Sequence, residues 1–272
     1  MKLCVIGNSH VGMLRAAARN LGPDGPELTF FAKAGAGIEK ATIEGTVITA
    51  RDPELRRAQA RFGMPEAVDV ARFDATVLVA GTASIYSALA ILQDHRVSGW
   101  PSGAAPRDPS GAPLDRPADK PLVSEAAFTA ALADLTRDGA SYRFARAFRQ
   151  ASDVPIFVVP QPYPSERVFD STRPGAYGFQ RARRHGEGAA IATCLNTAID
   201  RAFAEIGSVE VLHQPADTVA HGFTTARAFS RDAVRVDGDT AQHAEDLLHV
   251  GAAYGARVLE RVYAGLRHGI AA

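Results

Sequence analysis

The chain has 272 residues, 46% of them apolar, which is enough for one full-sized core. Thirty basic residues balance thirty acidic ones, so no net field draws the protein towards nucleic acid or an anionic membrane, and a small or neutral molecule is the expected partner. The two cysteines, Cys4 and Cys194, read as small buried hydrophobes and not as a disulfide framework, which predicts a reducing compartment.

In chain order, the first residues carry one lysine and four consecutive apolar residues before Gly7. That run is too short for a signal-peptide core or a membrane span, so a cytosolic protein is expected. Apolar β-formers recur at Leu3 to Ile6, Leu28 to Ala32, Thr76 to Ala80, Pro155 to Val159 and Val209 to Leu212. Their near-continuous hydrophobicity predicts strands covered on both faces. Helical patterns lie between them: Val11 to Leu21, Glu125 to Ala151 with a break at Gly139, Ala189 to Ile206, and Val250 to Leu266. The alternation predicts a single α/β domain, a three-layer α/β/α sandwich around five parallel strands. Thr46 to Ala50 reads as an additional small strand or hairpin.

Two stretches exceed ordinary connectors. Residues 93–122 are rich in Pro, Gly, Asp and Arg, including Trp100-Pro101-Ser102-Gly103 and Pro106-Arg107-Asp108-Pro109, and read as either a lid or a mobile linker. Residues 163–188 follow a strand end and carry Arg167, Arg173, Arg181, Arg183, Arg184 and His185. A solvated surface loop is the plain reading, and a substrate clamp the functional one.

Ser9 stands where the first strand gives way to the first helix, in Gly7-Asn8-Ser9-His10. A serine there can cap the helix by accepting a backbone N–H. The same position exposes its oxygen at the sheet edge and turns its amide towards a developing oxyanion. Gly7 to Gly12 is not a dinucleotide-binding turn, because Ser9 occupies the position where that turn needs glycine. Near the other end, Asp246-Leu247-Leu248-His249 precedes the last helix. This spacing lets Asp246 accept from one imidazole nitrogen of His249 while the other faces Ser9, the minimum set for acyl transfer through a serine. A helix-capping role for Asp246 and His249 is the structural alternative. The remaining histidines show no metal-ligand spacing, and His10 reads as a partly exposed first-turn residue near the pocket mouth.

At these residues the chain resembles the SGNH/GDSL hydrolase superfamily. Gly7-Asn8-Ser9-His10 is similar to its first block, with Asn8 in place of the usual aspartate, and Asp246-Leu247-Leu248-His249 is similar to its last. The resemblance implies a flavodoxin-like α/β/α fold, a Ser9 nucleophile, a His249 base oriented by Asp246, and no cofactor. It also implies an oxyanion amide from a glycine after the second strand, where Gly35 and Gly37 both qualify and Gly35 lies nearer the strand end. The family's third block contributes an asparagine, but Gly81-Thr82-Ala83-Ser84 places alanine there. Losing one such donor costs about 10²–10³ in rate, and Thr82, Ser84 or a side chain from either long insertion are the candidate substitutes. The expectation is an esterase or acyl-transfer enzyme acting on a sugar or small-molecule ester. The competing reading is a binding module of the same fold.

Overall fold

The computed structural model describes residues 1–22, 25–104 and 120–268. Its centre is a parallel sheet of five strands: β1 (Lys2–Gly7), β2 (Glu27–Ala32), β3 (Ala75–Val79), β4 (Ile156–Val159) and β5 (Val209–Val211). Their order across the sheet is β5-β4-β3-β1-β2, the doubly wound order of flavodoxin-like folds. In register, Val5 lies beside Phe30 on one side and Val77 on the other.

Because successive side chains of a strand face opposite ways, each strand feeds two cores. Cys4, Ile6, Leu78, Ile156 and Val158 join the larger apolar cluster, while Leu3, Val5, Val77, Phe157 and Val159 join the smaller one. The smaller face is covered by α1 (Gly12–Asn20) and α8 (Ala252–His268). These two helices pack closely because residue 255 is glycine: a Cβ there would lie 2.1 Å from the Met13 carbonyl oxygen. The larger face carries α3 (Ile85–Asp94), α4 (Glu125–Arg137), α5 (Ala140–Ala151) and α7 (Gly188–Ala204). These helices complete the three-layer sandwich. The break expected at Gly139 falls between α4 and α5. Gly139 is extended there, at φ -69° and ψ 154°, and its lack of a side chain lets it lie against the Gly81 turn, since a Cβ would sit 2.1 Å from the Gly81 carbonyl oxygen.

The strand expected near residues 46–50 is Val47–Thr49, the middle of a small antiparallel sheet with Thr42–Glu44 and Ala67–Asp69. Two elements in this half escape the sequence patterns. One is α3. The other is α2 (Pro53–Arg61), which starts with Asp52 accepting from the Glu54 and Leu55 amides and with proline in the first turn.

The stretch 163–188 is not a solvated loop. It contains α6 (Tyr177–Arg184) and buries Tyr163, Val168, Ala176, Phe179 and Ala182, so its arginines decorate a packed segment. The stretch 93–122 is pinned at both ends: Arg96–Val97 pairs in parallel with Leu122–Val123, and Arg96 donates to the Lys120 and Gly103 carbonyls. Buried Trp100 packs edge-on against Phe128 and donates to Glu125. Pro106-Arg107-Asp108-Pro109 lies outside the described residues. Among the described residues no helix is long and apolar enough to cross a membrane, and both cysteines are buried free thiols.

Candidate active site

In this strand order β1 has β2 on one side and β3 on the other, so the chain leaves the sheet in opposite senses on either side of β1. A crevice forms outside the carboxyl ends of the strands at such a switch point. Ser9 follows β1 directly and opens a single 3₁₀ turn, Ser9–Val11, ahead of α1. The cap of that turn is Asn8, not Ser9: the Asn8 Oδ1 accepts from the His10 amide at 3.0 Å. The Ser9 hydroxyl is therefore not spent on capping. As the first residue of the turn, Ser9 also has an amide with no earlier turn of carbonyls to satisfy it.

The loop before α8 brings the other two groups to the same edge. The Ser9 hydroxyl lies 2.9 Å from His249 Nε2, and His249 Nδ1 lies 2.7 Å from Asp246 Oδ2. Asp246 accepts from the Leu248 and His249 amides at 3.0 and 3.2 Å as well, which closes the loop into a tight turn. Burial pushes the Asp246 carboxyl upward, but its hydrogen bonds, first from the His249 side chain and then from the Leu248 amide, outweigh this and hold it below the usual carboxylate range. An ionised Asp246 fixes the proton of His249 on Nδ1, so Nε2 presents a lone pair to the Ser9 O–H.

The insertion 163–188 holds this loop in place, a role its sequence did not disclose. The Ser165 amide donates to the Leu247 carbonyl at 2.8 Å. Arg167 donates to the Ala244 carbonyl at 2.9 Å and to the Asp246 carbonyl. Leu247 itself packs against the larger core. Tyr86 on α3 is a further neighbour missed in the sequence; burial, and secondarily the Asp246 carboxylate, keep its phenol protonated.

His10 differs from its sequence reading. It is 5% exposed and stacks on His249, with ring centroids 4.8 Å apart and planes at 29°. Its place in the first turn after β1, whose residues from Leu3 to Gly7 are all buried, accounts for the burial. Desolvation, reinforced by the neighbouring His249 and opposed by Asp246, lowers its pKa to about 3, so the ring is neutral at ordinary pH.

The two glycine candidates now separate. The Gly37 amide donates to Glu39 Oε2 at 2.8 Å and is occupied. Gly35 is exposed at φ +70°, with open space where a Cβ would be and no partner for its amide among the described residues. After β3 the turn is held from α5, where Ser141 donates its amide to the Gly81 carbonyl and its hydroxyl to the Ala80 carbonyl. Ala83 is 3% exposed and belongs to the larger core, offering a methyl and no donor. Its neighbours do not replace it. The Thr82 hydroxyl donates to the Ala83 carbonyl at 2.9 Å, and Ser84 caps α3 through a reciprocal pair with Ser87.

No protein-family model and no curated protein matches this chain.

Proposed function

We propose that this protein is a serine-dependent esterase or acyl-transfer enzyme of the SGNH/GDSL type, acting on a sugar or small-molecule ester. One observation carries the reading: Ser9, His249 and Asp246 form a continuous relay, with 2.9 Å from hydroxyl to imidazole and 2.7 Å from imidazole to carboxylate, across 240 residues of chain. Ser9 Oγ attacks the acyl carbonyl carbon while its proton passes to His249 Nε2. The oxyanion is met by the Ser9 and Gly35 amides. Collapse breaks the ester bond, and the proton on Nε2 goes to the departing alkoxide. A water molecule or an acceptor hydroxyl, deprotonated by His249, then attacks the acyl-serine and frees Ser9.

The negative charge of Asp246 balances the positive charge of the His249 imidazolium formed midway, and stacked His10 adds no repulsion because it stays neutral. The chemistry uses no cofactor. The two buried free thiols support a reducing, cytosolic setting.

Replacing the attacking oxygen tests the reading. Ser9→Ala is expected to abolish turnover of short-chain aryl esters while leaving the circular dichroism spectrum unchanged, because the side chain caps no helix. Unchanged turnover in the variant would assign the chemistry elsewhere.

A binding module of the same fold is the second reading, and one observation favours it: Ala83, Thr82 and Ser84 supply no side-chain donor to an oxyanion. Two amides without the third donor slow acylation by about 10²–10³. Wild type that turns over no ester yet binds one would select this reading.

A further inference from the structure

A cleft of about 440 Å³ opens beside the Asp246 loop, and neither Ser9 nor His249 lines it. Its walls carry three guanidinium groups, Arg167, Arg227 and Arg231, together with Asp232, Gln242, His243 and Asp246. The charges do not cancel. Arg167 spends its hydrogen bonds on the carbonyl oxygens of Ala244 and Asp246, which carry no formal charge. Arg231 has no hydrogen bond or ion pair among the described residues. Arg227 reaches only the exposed carboxylate of Asp170, at 3.4 Å. On the acidic side, Asp232 and Asp246 line the cleft; Asp246 is hydrogen-bonded to His249 and two amides, and Asp232 has no ion pair among the described residues.

Three lining guanidinium groups against two lining carboxylates leave a positive excess, which favours an anion. We propose that this cleft binds the phosphate group of a small molecule. Guanidinium forks match the paired oxygens of phosphate, and several forks around one group satisfy a doubly charged oxyanion where a single carboxylate would engage one of them. The volume leaves room for an organic moiety beyond the phosphate. Arg167 joins this cleft to the loop that carries Asp246 and His249, so an occupant and the relay share one side chain. The binding itself does not depend on the serine chemistry, and its test uses no turnover.

Inorganic phosphate is the probe, titrated against the full chain at constant ionic strength with chloride as the balancing anion, and followed by calorimetry and thermal unfolding. Wild type is expected to show a saturable rise in Tm and a measurable heat. The double variant Arg227→Met/Arg231→Met is expected to bind at least about tenfold more weakly, the loss of two charge-assisted contacts. Both side chains are exposed and outside the core, and circular dichroism checks that the variant folds. Equal responses to phosphate and chloride in wild type, or undiminished phosphate binding in the folded double variant, would overturn the proposal.

Discussion

At His10, burial and the adjacent His249 imidazole both oppose protonation, and the ring holds its proton only near pH 3, against 6.5 for an ordinary histidine. The unfolded chain takes up that proton as the pH falls below 6.5, while the native state does so only near 3. The stability tied to a neutral His10 is therefore complete above pH 6.5 and drains away on acidification, by about 1.4 kcal/mol per pH unit at the steepest. Between pH 7 and 5 this amounts to about 2 kcal/mol. Asp246 adds a second loss only at lower pH, because its folded pKa is depressed below an already acidic value. His10→Phe keeps a ring against His249 and removes both the titration and the buried Nδ1 that has no partner among the described residues. Urea unfolding at pH 7 and pH 5 is expected to show the wild type losing most of that 2 kcal/mol and the variant losing little. Equal losses would place the acid sensitivity at other residues. This behaviour was not legible in the sequence, where His10 is one polar residue after an apolar run. That Ser9, Asp246 and His249 come together was legible through the two blocks that resemble the SGNH/GDSL superfamily; position alone left helix capping open for each of them.

Among the elements, those read correctly from the sequence had either a continuous apolar run or a long periodic face. β1 from Leu3 onward and all of β3 are buried on both faces, and α7 shows one consistent apolar stripe. The missed helices fail that criterion for separate reasons. α2 buries only Leu55 and Gln59, so its period is faint, although Asp52 followed by Pro53 is a helix-start signal. α3 is apolar over most of its length, so no polar face marks its turn. In α6 the arginines surround Phe179 and Ala182, and charge masks the two residues that anchor it. The junction between α4 and α5 makes a prediction at this scale. Gly139 lies against the Gly81 turn after β3, and the contact is with backbone, which cannot swing aside. Gly139→Ala is expected to cost about 1–3 kcal/mol in thermal or urea unfolding. Gly175→Ala, where a Cβ meets open space, is expected to change stability by less than about 0.5 kcal/mol. Similar costs at the two positions would show that the Gly81 turn yields easily.

For the molecule as a whole, the strand order decides what the site can be. Placing β1 between β2 and β3 brings the loop after β1 and the loop before α8 to one edge, which is how residues 9 and 249 meet. The five strands could be counted in the sequence, but their lateral order could not, because nothing in a strand's own residues names its neighbour. The same holds for the insertion 163–188, whose Ser165 and Arg167 brace the Asp246 loop only once the chain has folded back. The central claim is that this convergence activates Ser9 as a nucleophile. Labelling the wild-type protein with a fluorophosphonate and mapping the modified peptide tests it most directly. Stoichiometric modification of Ser9, lost on mild unfolding and absent in His249→Ala, is the result the relay geometry predicts; no modification of Ser9, or modification that persists unchanged in His249→Ala, would contradict it.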